Sequence, residues 1–393
     1  NNVLRSFKDY KTYESKLLFR YHKKKLGKIR VWFLLKIYWF LGFLKTHYIF
    51  RYLVINDLRK TNEYIEYISR FKLDRPKLVA GFSPEGYKEM VLMQAAADLG
   101  IPSLIMIRSR DNLVSKIAFL PKVSKYLFWS EHHRSYFFHL YKELKNEMTD
   151  VVGSPQFSRH LDKNYILLKS EFFDILNLNI KKKLVVFFLE NPEVYPQQKD
   201  LAQFLAKIFS QGELKNKAQL LIRNHPRVFG SNYDPLDGMD YENVMVYPRP
   251  SAIPNGKHNE KLVKLILDEE KIHLSTMAHL DLNINIFSTT IIDSAIFDKP
   301  IINICYDQKK LDDSISIKRF FMRTDFDIIR KTDSTDIVYS SSELVDRITF
   351  NIENKNYKSL ERKKLIEIDI GSFGDIANKK LIKNFISMLD IIK

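Results

Sequence analysis

Two short clusters carry the side chains best suited to holding phosphate: Arg223-Asn224-His225-Pro226-Arg227 and Ser288-Thr289-Thr290. An imidazole between two guanidiniums offers charge-assisted N–H donors. A run of hydroxyls opening a helix adds backbone N–H groups that no helical carbonyl takes up. Each cluster follows an apolar run, Ala218 to Ile222 in one case and Leu280 to Phe287 in the other, so each sits where a buried strand should end. The second is followed by a helix-like segment, Ile291 to Phe297, and a further strand, Ile301 to Cys305. In an open α/β sheet ligands bind beyond the carboxyl ends of the strands. The pair therefore predicts a site for a diphosphate or a nucleotide monophosphate.

The elements that must position these clusters alternate. A short strand is expected at Leu78 to Phe82, then a helix capped by Ser83 with Pro84 in its first turn, ending at Gly100. Strands follow at Ile101 to Ile107, Tyr126 to Trp129 and Val151 to Gly153. A second series runs through Leu184 to Leu189, Leu220 to Ile222, Val244 to Val246, the strand ending at Phe287, and Ile301 to Cys305. Strand–helix alternation implies parallel sheets covered on both faces. The expected organisation is a basic, aromatic helical segment over 1–75, an α/β domain over 76–160, a charged linker over 161–183, a second α/β domain over 184–340, and two helices over 341–393.

The chain has 393 residues, enough for about two domains, and 45% are hydrophobic, which rules out a disordered chain. One cysteine, Cys305, excludes a disulfide framework and fits a reducing compartment. No cluster has zinc-site spacing, and His132-His133 are adjacent, so they face different ways. A net charge of +16 asks for an anionic partner: nucleic acid, a membrane surface or a phosphorylated substrate. No nucleic-acid-binding signature accompanies it. The charge concentrates at residues 16 to 60, among aromatics. Ile29 to Ile55 is apolar but carries Arg30, Lys36, Lys45 and Arg51, so it is too interrupted to span a bilayer. Those cations fall in one half of a helical wheel, the pattern of an interfacial helix. The expectation is a cytoplasmic protein, peripheral on the inner face of the membrane.

Four stretches carry a family resemblance. They are Ala95-Ala96-Ala97-Asp98-Leu99-Gly100-Ile101-Pro102, Arg110-Asp111-Asn112-Leu113-Val114-Ser115-Lys116 with Lys125-Tyr126-Leu127-Phe128-Trp129 after it, Val151-Val152-Gly153-Ser154-Pro155-Gln156-Phe157, and His225-Pro226 with the Ser288–Thr290 cluster. In this order they resemble bacterial GT-B glycosyltransferases of surface-polysaccharide synthesis, related to CMP- and CDP-linked transferases and teichoic acid glycerophosphotransferases. The resemblance implies two Rossmann-like domains facing a cleft. It implies that His225, Ser288 and Thr289 contact the nucleotide phosphate, and that Asp293 stands where a glutamate often holds the ribose, one carbon shorter. It also implies a nucleotide-activated sugar as donor, with CMP or CDP favoured over UDP or GDP, no further cofactor or metal, and a glycan or lipid-linked acceptor.

An inverting transfer needs a base at the acceptor hydroxyl. Glu85 and Asp111 both follow strands of the first domain and are the candidates. Asn112, Lys116 and Glu190 are candidate substrate contacts, Lys116 for a phosphate or a sugar carboxylate and Glu190 for the donor or the acceptor. Three alternatives remain beside a glycosyltransferase: a CDP-glycerol-type glycerophosphotransferase, a nucleotide-sugar 2-epimerase-like enzyme, and a basic nucleic-acid-binding protein.

Overall fold

A computed structural model describes residues 32–33, 36–37, 40, 47–82, 86–109, 122–141, 145–229, 231–248, 260–313 and 315–390. The chain forms two compact units. One comprises 1–158, 322–327 and 367–393; the other comprises 159–321 and 328–366. Each is built on its own parallel sheet.

In the first unit the sheet is preceded by helices α1 (His47–Leu58) and α2 (Asn62–Asp74), the latter capped by the Thr61 hydroxyl, which accepts from the Tyr64 N–H. Four strands follow in spatial order: β1 (Val79–Gly81), β2 (Ser103–Met106), β3 (Lys125–Phe128) and β4 (Thr149–Val151), all parallel. Between them lie α3 (Tyr87–Asp98) and α4 (Glu131–Leu140). Ile105, Tyr126 and Phe128 from the sheet close on Met93 and Ala96 of α3 and Phe137 of α4, and this aromatic-rich cluster is the unit's core. The expected Ser83–Pro84 cap lies outside the described residues, and the described helix starts at Tyr87.

The Gly153-Ser154-Pro155-Gln156-Phe157 motif locks a distant segment onto this unit. Gly153 has φ +89, and a Cβ there would lie 2.1 Å from the Ser372 carbonyl oxygen, so only glycine fits. The Ser154 N–H donates to that carbonyl at 2.8 Å, and Phe157 meets the edge of Trp129 at 5.7 Å. On α4, buried His133 bonds Asp369 at 3.0 Å, whereas His132 is exposed.

The second unit has six parallel strands in the order β10-β9-β8-β5-β6-β7. They are β5 (Lys183–Phe188), β6 (Ala218–Arg223), β7 (Val244–Tyr247), β8 (Leu282–Asn285), β9 (Ile301–Ile304) and β10 (Asp336–Val338). β5 sits at the centre with β6 beside it, and both read as nearly continuous apolar runs because both faces are covered. Three-residue β10 carries too short a pattern to be read from sequence. Covering helices include α5 (Lys169–Ile175), α6 (Gln198–Gln211), α7 (Glu260–His279) and α8 (Thr290–Ile296). α6 buries Leu201, Leu205 and Phe209 at helical spacing, and α7 packs Ile272 and Met277 into the same core as Phe188 and Leu221. α5 adds buried Phe172 and Phe173 to that core, so residues 161–183 contribute packing as well as connection.

Beyond 340 the structure has three helices where two were expected: Ser341–Glu353, Ser359–Asp369 and Asp375–Asp390. Breaks at Asn354, and at Gly371 and Gly374 with φ of +69 and +65, divide them. Cys305 is buried beyond β9, where burial pushes its thiol up to about 11 and keeps it protonated. Among the described residues no helix is long and apolar enough to cross a membrane.

Candidate functional site

Three adjacent strands of the second unit, β8, β5 and β6, deliver the predicted clusters to one carboxyl edge. Register fixes this: Ile284 pairs with Phe187, Phe187 with Ile222, and Phe188 with Arg223. Ser288–Thr290 therefore leaves the end of β8, Glu190 the end of β5, and Arg223–Arg227 the end of β6. The two phosphate-friendly turns are two strand spacings apart, about 10 Å.

At the end of β6 the Asn224 N–H donates to Tyr247 O at 2.9 Å and its side-chain amide donates to Pro248 O at 3.0 Å. This ties the turn to β7. His225 then caps a single 3₁₀ turn, Pro226–Val228, with Nδ1 accepting from the Arg227 N–H at 3.1 Å. A neutral imidazole that accepts at Nδ1 carries its proton on Nε2, so His225 is a hydrogen-bond donor through Nε2. Burial, and secondly the Arg227 charge, holds its pKa below the usual imidazole value. The two arginines diverge: Arg227 is exposed, whereas Arg223 is 3% exposed. Arg223 stacks on the Tyr247 ring, its Cζ 4.8 Å from the centroid, and Nη2 donates to Glu269 of α7.

At the end of β8 the turn is pinned by buried amides. Asn285 Oδ1 accepts the Ser288 N–H at 3.1 Å, and Asn285 Nδ2 donates to Asn283 Oδ1 at 3.0 Å. Asn283 Nδ2 donates to Thr290 O at 3.2 Å and to Ser294 Oγ at 2.7 Å. Both asparagines are fully buried. Phe287 has φ +52, a costly backbone for a bulky residue, and the strain sits immediately before Ser288. Ser288 Oγ accepts the Thr290 N–H at 3.4 Å, so this hydroxyl helps cap α8. Thr289 is exposed and its side chain makes no cap bond. The buried Thr290 hydroxyl has no hydrogen-bond partner among the described residues.

Asp293, the expected ribose contact, is engaged by two imidazoles. His160 Nε2 lies 2.7 Å from Oδ1 and His273 Nε2 lies 3.8 Å from Oδ2. Burial opposes the carboxylate, yet those two partners hold its pKa well below the usual range. Glu190 is fixed through its backbone: its N–H donates to Gln198 Oε1 at 2.7 Å and its carbonyl accepts from Gln198 Nε2 at 2.8 Å. Glu85, Asp111, Asn112 and Lys116 lie outside the described residues.

Sequence reading missed Glu269, His273 and His160. On α7, His273 neighbours Glu269 at i, i+4 and Glu270 at i, i+3. Glu269, Glu270 and His273 meet Arg223, Arg159 and Asp293 respectively. The signal was present as Glu-Glu-x-x-His in an amphipathic helix, but no strand end in the sequence points to it.

No family model and no curated protein sequence matches this chain. Solved structures are similar in fold. The S. aureus MnaA–UDP co-structure superposes with a TM-score of 0.52 at 11% identity, over 85% of this chain and 82% of that one. UDP-GlcNAc 2-epimerase from Neisseria meningitidis bound to UDP-GlcNAc gives a TM-score of 0.50 at 14% identity, over 83% and 80%. The chain thus has a GT-B-like fold, two Rossmann-like parallel-sheet domains with flanking helices.

Proposed function

We propose that this chain is an enzyme acting on a nucleotide-activated sugar, and that it transfers the sugar to a surface glycan. The observation that carries the reading is the arrival of two anion-suited turns at one sheet edge, two strands apart, one presenting the His225 Nε2–H. A departing nucleotide gathers negative charge, and preorganised donors stabilise that charge most where they need not reorganise. His225 donates to the leaving phosphate, while Ser288 and Thr289 add hydroxyls at the β8 turn. UDP is the proposed nucleotide, because the ligands named for the similar structures are UDP and UDP-GlcNAc. The cytidine preference expected from sequence has no such support. The acceptor-side base is proposed at Glu85 or Asp111.

One observation favours a second reading, a 2-epimerase. Carbon-centred proton transfer needs acids and bases near the hexose, and Asp293, His160 and His273 form a carboxylate–imidazole cluster on this unit. An epimerase acting on a free nucleotide sugar has no use for a basic, aromatic N-terminal segment. Trp32, Phe33, Phe40 and Tyr52 of that segment are exposed, which supports docking at a membrane that carries a lipid-linked acceptor.

Incubation with UDP-GlcNAc in the presence and absence of an undecaprenyl-linked acceptor decides between them. Acceptor-dependent UDP release supports transfer. Appearance of the 2-epimer without acceptor overturns transfer in favour of epimerisation. Binding of no nucleotide overturns both. Flotation with anionic liposomes that fails at low salt removes the membrane component.

A further inference from the structure

Arg223 and Glu269 form a buried pair that is only half satisfied. Arg223 Nη2 donates to Glu269 Oε1. Arg223 Nε and Nη1 and Glu269 Oε2 are buried and have no hydrogen-bond partner among the described residues. Leaving one such group unmatched costs ~1–3 kcal/mol, and more when it is charged, so native structures rarely keep three together. The guanidinium lies over the Tyr247 ring, Cζ 4.8 Å from its centroid, which restrains the plane in which its open donors lie. The arrangement is built for a partner that completes it.

The balance of the open atoms identifies that partner. Two donors and one acceptor are unmet, and the pair carries no net charge. A phosphate would satisfy the donors but would meet the Glu269 carboxylate as a like charge. A sugar hydroxyl both donates and accepts, so adjacent hydroxyls can take the Arg223 donors and give a proton to Glu269 Oε2 in the same step of binding. We infer that the Arg223–Glu269 pair grips adjacent hydroxyls of a sugar ring, and that Arg223 is a specificity residue rather than a phosphate ligand. The inference rests on the nucleotide-sugar reading above. Arg223 is two residues from His225, so a ring joined to a phosphate held at His225 lies within its reach.

Glu269→Gln separates the two ligand chemistries by sign. Removing the carboxylate charge weakens a hydroxyl donor's contact but relieves repulsion on a phosphate. Calorimetric titration of the full chain with UDP-GlcNAc, UDP and 2′,3′-dideoxy-UDP reads the difference. At least tenfold weaker binding of UDP-GlcNAc with UDP unchanged assigns the pair to the hexose. Weakening of both UDP-GlcNAc and UDP, with dideoxy-UDP unchanged, assigns it to the ribose; either result supports the inference. Unchanged or tighter binding of all three, or equal loss including dideoxy-UDP, overturns it while leaving the nucleotide reading standing. A wild-type chain that binds no UDP overturns the nucleotide reading and this inference with it. Should Glu269→Gln fail to fold in thermal melts, Arg223→Lys, which keeps the charge and loses the fork, is read against the same three ligands.

Discussion

The turns after β6 and β8 stand two strands apart on one sheet edge and are held in opposite ways. The β8 turn is shaped from within. Two buried asparagines take up its backbone groups, and that ladder offsets the strain at Phe287. The β6 turn is anchored to β7 through Asn224, yet it brings a buried guanidinium with unmatched donors to its neighbour Glu269. One turn has its geometry fixed before any ligand arrives; the other keeps polar capacity that a ligand would complete. The difference divides the labour expected of a nucleotide-sugar site. A phosphate position must be rigid to stabilise developing charge, whereas a sugar position must discriminate, which unmet polar atoms do well.

Asn283→Ala should give the largest effect in this comparison, and on stability. It removes two donations, to Thr290 O and Ser294 Oγ, and the acceptor for Asn285 Nδ2. Three buried groups lose a partner, for about 2–4 kcal/mol in total. Arg227→Ala, on an exposed side chain of the other turn, should shift stability by no more than about 0.5 kcal/mol. Equal melting temperatures for the two variants would show that the asparagine ladder does not hold the β8 turn.

His225→Ala should act on chemistry instead. Loss of one charge-assisted contact to a leaving phosphate corresponds to about 1.5–3 kcal/mol, tenfold or more in turnover, with the fold retained. Ser288→Ala with Thr289→Ala should weaken nucleotide binding by a smaller factor, since Ser288 Oγ also serves the Thr290 N–H. Normal turnover in a folded His225→Ala chain would remove the β6 turn from the phosphate site. Unchanged nucleotide affinity in the double variant would reduce the β8 hydroxyls to a cap.

What the sequence made legible follows the physics of each signal. Continuous apolar runs such as Leu184 to Leu189 mark buried parallel strands because they are short and rich in β-branched and aromatic residues, and β5 fills Lys183–Phe188. The strand-end positions of His225 and Ser288 follow from those runs. The Gly153-Ser154 motif was visible, but the reason for its glycine, contact with Ser372, depends on a residue more than two hundred positions away. Asp293 was matched to a ribose role by position along the chain, and its imidazole partners come from α7 and from residue 160. Asn283 and Asn285 lie in a run that reads as apolar strand, and no local pattern says that their amides face the turn they support.

The pH dependence of stability gives the finest test of the contrast. His225 has its pKa lowered from the ordinary 6.5 by burial and by Arg227. With the folded pKa below the unfolded one, the unfolded chain takes up the proton first as pH falls. The contribution of neutral His225 is therefore complete above about pH 7 and is lost as pH drops through the imidazole range. His279, whose pKa burial also lowers, acts in the same window, so the slope must be read as a difference between variants. Asp293 acts in another: its pKa is lowered from 3.8, so its contribution survives until the solution is far more acidic. Chemical denaturation of wild type and His225→Asn at pH 7.5 and pH 5.5 should show a smaller loss in the variant, by a fraction of the ~1.4 kcal/mol that a tenfold change in proton affinity represents. Asp293→Asn should flatten the profile below pH 4. Identical losses in wild type and His225→Asn would mean that the imidazole titrates as it does in water, and the burial that shields it at the β6 turn would have to be given up.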